Sequence, residues 1–309
     1  MILAHLFALL GGATVLVTGI RFAAWRADIH RRLLRGSTVI QTARGAAEYA
    51  ELGSGPVVLL LHGTPGGYDQ TLRMIEASGA MDGKARFLCP SRPGYLRTPL
   101  ASGRSPAAQA DLCAALLDVL DIDRAFVIGA SGGGPAAVQF ALRFPGRCNG
   151  LVLEAAVTQS IAVRKIPIPA ILADLLVYLF RNFAIAKARA SAPDDPVLAQ
   201  IARGVLETVV PVGPRMAGFH NDRAAFSQLD GWPLEQITCP ALIVYGTADT
   251  DVPAAHALHA HAAIAGSRLV AIAGADHNLF VTEHARLNHA IAEFMAGVLQ
   301  AHPPEASHT

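Results

Sequence analysis

From residue 37 onward, short apolar runs alternate with longer stretches whose apolar residues recur at the three- and four-residue steps of a helix face. Segments 38–43, 46–51, 57–61, 86–89, 125–129, 151–155, 241–245 and 268–272 read as strands, and 69–78, 106–120, 133–143, 254–263 and 282–300 as helices. The first two strands alternate apolar and polar positions, as a half-exposed antiparallel pair does. The later ones are unbroken apolar runs, suited to parallel strands covered on both faces. Within 106–120, Ala110, Cys113, Ala114, Leu117 and Leu120 mark one face, and Ser105-Pro106 supplies an N-cap and a first-turn proline. The order predicts an α/β fold, a mostly parallel eight-stranded sheet flanked by helices with right-handed crossovers.

The alternation lapses in two places. Between about 157 and 235 lie an apolar stretch at 168–180, a Pro/Asp break at 193–196, a helical stretch at 197–209 and the closing pair Trp232-Pro233. This reads as a mostly helical insertion folded over one edge of the sheet. Asp174 and Arg181 leave 168–180 too short and interrupted to cross a membrane. The other lapse is at the start: residues 1–20 carry no charged side chain, and Arg21, Arg26, Arg31, Arg32 and Arg35 follow, offset by Asp28. About 20 helical residues span the ~30 Å of bilayer hydrocarbon, and basic flanks stay on the cytoplasmic side. The expectation is a single-pass membrane anchor over 1–24, with the rest of the chain on the cytoplasmic side. Cleavage as a signal, giving a secreted or periplasmic protein, is the alternative; the bare n-region and the crowding of Arg21 and Arg26 argue against it. Residues 302–309 read as a frayed tail.

Composition narrows the function classes. The chain has 309 residues, 52% hydrophobic and 16% charged, with formal net charge +1. That is ample material for a core and excludes disorder as the main state. A neutral chain with no clustered Lys/Arg face is unsuited to nucleic acid. Cys89, Cys113, Cys148 and Cys239 lie far apart, which suits free thiols in a reduced compartment. His256, His259 and His261 share one predicted helix but have no carboxylate or thiol partner at ligand spacing, so no metal is expected.

The chemistry concentrates in two glycine-rich turns. Gly129-Ala130-Ser131-Gly132-Gly133 follows a predicted strand and opens a predicted helix. A sharp strand-to-helix turn holds such a serine in a strained backbone geometry and tolerates only glycine two residues to either side. It also leaves first-turn N–H groups without intrahelical partners, and that of Gly132 can point at a developing oxyanion. His62-Gly63-Thr64-Pro65-Gly66-Gly67 ends another strand, where Thr64 offers a second N–H donor and Pro65 cannot. His62 reads as a prop for this loop rather than as a base.

The order strand–HGTPGG, strand–SRPGY, strand–GASGG–helix, insertion, strand–GTAD, strand–GADH resembles the α/β-hydrolase superfamily, in particular its HG-x-P-type members. The resemblance covers roughly 54–300 and implies a core of 37–157 and 235–301 with a helical cap at 158–234. By position it implies Ser131 as nucleophile, Asp249 as acid and His277 as base, in the family's chain order. The chemistry is coherent, because serine needs a base near neutral pH and the imidazole needs a carboxylate to fix its tautomer. Asp251, two residues past Asp249, and Glu154, at the end of the strand after the elbow helix, compete for the acid. Asp276 reads as a turn residue. Ser91 stands where the family more often has aspartate. Ser131 in place of aspartate argues against the haloalkane dehalogenase and epoxide hydrolase branches.

These residues imply a serine hydrolase forming an acyl-enzyme, with no cofactor and a small-molecule ester or thioester as substrate. The apolar residues Ile168, Leu172, Leu175, Leu176, Leu179 and Phe180 of the insertion, together with the bilayer expected next to the enzyme, suggest an apolar acyl part. An aminopeptidase would need an acidic group for the substrate amine, for which Glu207, Asp222 and Asp230 are available. A non-catalytic binding protein of this fold and a cofactor-free haloperoxidase are the other readings.

Overall fold

A computed structural model describes residues 2–79, 84–165, 167–191, 195, 197–229 and 231–301, with the side chains of all of these except 2–10, 188 and 191. Its frame is an eight-stranded sheet in the order β1-β2-β4-β3-β5-β6-β7-β8. β1 (Thr38–Thr42) and β2 (Gly45–Leu52) form the antiparallel edge predicted from their alternation, and β2 runs antiparallel to β4 (Arg86–Pro90). β3 (Val57–Leu61), β5 (Ala125–Ala130), β6 (Cys148–Glu154), β7 (Ala241–Gly246) and β8 (Arg268–Ile272) continue from β4 in parallel.

The unbroken apolar runs have a direct cause. In β3, Leu59 and Leu61 join one core cluster while Val58 and Leu60 join another, because successive side chains point to opposite faces. In β5, Val127 and Phe126 divide in the same way. One face is covered by α3 (Pro106–Val119), α4 (Gly134–Arg143) and α8 (Ala255–Ala263). The other is covered by α1 (Ile2–Arg35), α2 (Tyr68–Ser78) and α10 (His284–Ala301), the last preceded by the short α9 (Leu279–Thr282). The chain leaves β3 toward β4 on one side and leaves β5 toward β6 on the other, so the strand order reverses between β3 and β5. Open α/β sheets form their crevice at such a reversal, beyond the strand C-terminal ends.

The insertion between β6 and β7 is helical, as expected, with α5 (Ala170–Ser191), α6 (Leu198–Thr208) and α7 (Met216–Ala225). Pro193, Asp194 and Pro196 of the predicted break, and the predicted tail 302–309, lie outside the described residues.

The membrane expectation is corrected. The first segment is helical, but among the described residues no helix is long and apolar enough to cross a membrane. Met1 and the side chains of residues 2–10, which belong to the uncharged stretch 1–20, lie outside the described residues. The single-pass anchor, membrane association and the cytoplasmic-side placement that followed from them therefore fall together. The basic flank has other partners. Arg26 Nε reaches the fully buried Asp174 of α5 at 2.6 Å, and Arg32 reaches Glu207 of α6 at 3.1 Å. Ile29 and Leu33 are buried against the sheet-side core, Trp25 and Phe22 pack on Tyr178, and Tyr68 donates to the Leu33 carbonyl. Burying each such aliphatic side chain contributes about 1.5–3 kcal/mol. The C-terminal half of α1 is thus a packing element of this fold.

Candidate active site

Ser131 sits where β5 turns through a 3-10 turn, Ser131–Gly133, into α4. Its φ of 49° is left-handed, a strained conformation for a residue with a side chain. The flanking glycines are steric necessities. A Cβ on Gly133 would stand 2.2 Å from the Leu61 carbonyl oxygen, and one on Gly129 2.7 Å from Ala137 Cβ. The turn therefore packs directly on the end of β3 while lifting the serine hydroxyl above the sheet.

Two more strand ends supply its partners. The loop after β7 carries Asp249 and the loop after β8 carries His277, and the two loops are laced by backbone bonds from Thr247 N–H to Ile272 and from Ala248 N–H to Ala275. Gly246 permits this closeness, since a Cβ there would lie 2.3 Å from the Ala275 carbonyl oxygen. Ser131 Oγ lies 2.9 Å from His277 Nε2, and His277 Nδ1 lies 2.7 Å from Asp249 Oδ2. A carboxylate only accepts, so Nδ1 donates and Nε2 of the neutral ring is left to accept from the serine. Asp249 Oδ1 is occupied by the N–H groups of Asp251 and Val252 at 2.9 and 2.8 Å. Burial works against charge on His277, but Asp249 outweighs it and raises the imidazole above its ordinary value. Burial also opposes the Asp249 charge, and the His277 and backbone hydrogen bonds outweigh it to hold the carboxyl below its ordinary value.

Of the competing acids, Asp251 gives His277 no hydrogen bond and Glu154 is buried to one side without one, so Asp249 alone of the three occupies Nδ1. Asp276 Oδ1 accepts from the Asn278 N–H, as a turn residue does. His256 Nδ1 accepts from the Thr158 and Gln159 N–H groups, and no cluster of metal-ligating side chains occurs among the described residues. The four cysteines are buried and form no disulfide.

Thr64 and Gly132 are pressed together beside the serine: a Cβ on Gly132 would meet Thr64 Oγ1 at 2.2 Å. A buried ionic network that spacing along the chain does not reveal fixes Thr64. Asp222 of α7, 1% exposed, accepts from Thr64 Oγ1 at 2.5 Å, from Tyr95 OH at 2.5 Å and from Arg92 at 3.0 and 2.6 Å. Burial opposes the Arg92 charge, but Asp222 outweighs it and raises the guanidinium above its ordinary value. His62 is used on both nitrogens, Nδ1 donating to the Gly63 carbonyl at 2.8 Å and Nε2 accepting from the Arg92 N–H at 2.9 Å. Burial, followed by the Arg92 charge, pushes its pKa well down, so it is a neutral prop. A second buried pair joins Arg215, ahead of α7, to Asp69 of α2 at 2.7 Å, and Arg215 also donates to the Gly66 carbonyl. Asp222 and Arg215 of the insertion are therefore joined by ion pairs to Arg92 and Asp69, and the same two insertion residues hydrogen-bond Thr64 and Gly66 of the HGTPGG loop.

Ser91 also finds its reason here. Its hydroxyl donates to the buried Glu48 at 3.0 Å and accepts from the Tyr68 N–H that begins α2. An aspartate at this position would set a second carboxylate against Glu48.

Cavities open on both sides of the serine. One, of about 650 Å³, is lined by Thr64, Ser131, Gly132 and His277 together with Ile161, Val163, Phe219 and Phe226 of the insertion. The other, of about 200 Å³, lies between α2, α6 and the strand ends. The apolar residues expected to face substrate are elsewhere. Leu172, Leu176, Leu179 and Phe180 of α5 are exposed, and neither they nor Ile168 and Leu175 line these cavities. The apolar stripe of α5 could not show from sequence which side it presents.

A family model described as "Alpha/beta hydrolase family" matches residues 58–290. The chain belongs to that family. Among its relatives, an uncharacterized hydrolase, YcgS, of Bacillus subtilis is 28% identical over 78% of this chain and 91% of its own length. A 2-hydroxy-6-oxononadienedioate/2-hydroxy-6-oxononatrienedioate hydrolase of Burkholderia vietnamiensis is 27% identical over 66% of this chain and 75% of its own. Among solved structures, an alpha/beta hydrolase fold protein from Nakamurella multipartita superimposes with a TM-score of 0.74 at 33% identity, over 84% of this chain and 98% of that one. This hydrolase is accordingly an enzyme with the family's sheet and a helical cap over it.

Proposed function

We propose that this hydrolase cleaves an ester or thioester with an apolar acyl part through an acyl-enzyme on Ser131. His277 takes the serine proton as the hydroxyl attacks the carbonyl carbon, and the Thr64 and Gly132 N–H groups hold the oxyanion. Imidazolium then gives its proton to the leaving group. A water activated by the same imidazole releases the acid, while Asp249 keeps Nδ1 protonated throughout. The steps need no metal or cofactor. Residues 37–157 and 235–301 form the catalytic core in this reading, and 158–234 the cap that shapes specificity.

The observation that carries the reading is the unbroken Ser131–His277–Asp249 hydrogen-bond chain opening into a cavity. Of the acidic residues that could hold a substrate amine, Asp222 is saturated by three partners and Glu207 faces Arg32, while Asp230 lies outside the described residues. The test is labelling with a fluorophosphonate probe alongside a chain-length series of p-nitrophenyl esters and amino-acid naphthylamides. Labelling and ester turnover should both vanish in Ser131→Ala. An unreactive wild-type protein would favour a binding role, and peracid-dependent halide oxidation without ester turnover a haloperoxidase. The substrate in the name of the Burkholderia vietnamiensis relative is a reason to add oxo-acids to the panel.

A further inference from the structure

Glu154, the last residue of β6, is 4% exposed and has no hydrogen-bond or ion-pair partner among the described residues. Asp249 holds His277 Nδ1, so the Glu154 carboxyl makes no hydrogen bond to the imidazole and acts on it only through its charge. It lines the 200 Å³ cavity that also holds Ser131 and His277, whose other walls include Leu60, Met74, Val209 and Phe280. It lines as well a separate cleft of about 50 Å³ between α2 and α10, beside Leu287 and Ile291. A chain leaving Ser131 into the larger cavity would meet Glu154 in its wall, beside the apolar side chains of Leu60, Met74, Val209 and Phe280.

A carboxyl that borders a cavity beside the serine and has no hydrogen-bond partner among the described residues is free to bind a group of the substrate. We infer that this cavity receives an acyl chain carrying a neutral oxygen acceptor, such as a keto oxygen, and that Glu154 is the specificity-determining residue that donates to it. Burial supports the donor role by pushing the Glu154 carboxyl up to about 7, against the pull of His277, so that a large share carries a proton near neutrality. A protonated carboxyl both donates and accepts. The inference rests on the acyl-enzyme reading above and specifies which acyl groups it serves.

The experiment compares kcat/KM for p-nitrophenyl hexanoate with its 4-oxo and 5-oxo analogues, in the wild type, Glu154→Gln and Glu154→Leu. Fluorophosphonate labelling of each variant serves as the check that the site is intact. The wild type should prefer one oxo isomer over hexanoate by about tenfold, the scale of one buried hydrogen bond. Glu154→Gln, which keeps a donor, should retain most of that preference, and Glu154→Leu should bring the ratio near one. A wild type with no oxo preference, or a labelled Glu154→Leu that keeps it, overturns the inference while leaving the serine mechanism standing. A wild type that labels yet turns over no ester counts against it too. One that neither labels nor hydrolyses overturns both.

Discussion

Asp222→Asn is the substitution that most directly tests how the site is held. The native carboxylate is 1% exposed, its partner Arg92 is 2% exposed, and the pair is 2.6 Å apart. Tyr95 and Thr64 hydroxyls complete the coordination at 2.5 Å each. The amide keeps the shape but removes the charge, leaving the guanidinium buried and uncompensated. Breaking one side of such a pair costs about 3–5 kcal/mol. At roughly 2–4 °C per kcal/mol, Tm should fall by about 6–20 °C. Activity should fall separately, because the amide leaves one acceptor oxygen for the Thr64, Tyr95 and Arg92 donors and so loosens the Thr64 side chain packed beside Gly132. Loss of one oxyanion donor reduces kcat by about 10²–10³, and Asp222→Asn should approach the lower figure. The double variant Arg92→Met/Asp222→Leu separates the two effects. An apolar replacement of a buried pair is often neutral or stabilising, so Tm should recover while kcat stays low. The assays are thermal unfolding by circular dichroism and ester kinetics on the same preparations. Asp222→Asn with Tm within 2 °C of wild type, as an order-of-magnitude threshold, and unchanged kcat would refute the reasoning. A double variant that regains full activity would sever the link to Thr64.

Other changes have equally definite outcomes. kcat/KM should decline on acidification through a pKa above the ordinary imidazole value, since the base must be neutral and Asp249 raises His277. Asp249→Asn should lower kcat by about 10⁴. With burial then the main influence left, its acid limb should move to lower pH, and an unmoved limb in the pH–rate profile would exclude the assigned pairing. Gly133→Ala should leave little folded protein, because its Cβ would lie 2.2 Å from a backbone oxygen with no flexible group to yield; normal expression and Tm would show the turn to be looser than described. Asp174→Ala removes the partner of Arg26 and of the Val212 N–H. It should cost about 1–3 kcal/mol in urea unfolding and expose α1 to limited proteolysis, whereas unchanged proteolysis would mean α1 is held by its apolar contacts alone.

The sheet was legible in the sequence because its signal is local. Two alternating strands and six solid apolar ones follow from whether one face or both are covered, and that cause acts residue by residue along each strand. The elbow was legible for a similar reason, since Gly129 and Gly133 stand where no side chain fits within a few residues of Ser131. The apolar start of the chain misled because uncharged residues suit a bilayer and a protein surface alike. Only the positions of Asp174 and Glu207 in space show where Arg26 and Arg32 turn. The same holds for the buried ion pairs and for Glu154. Arg92 and Asp222 lie 130 positions apart, and nothing in either neighbourhood tells which charge meets which. Local sterics and hydropathy specify elements and tight turns, and a sequence displays them. Burial, pairing of distant charges and the shape of a cavity depend on which surfaces meet across the fold, and the tertiary structure alone decided those.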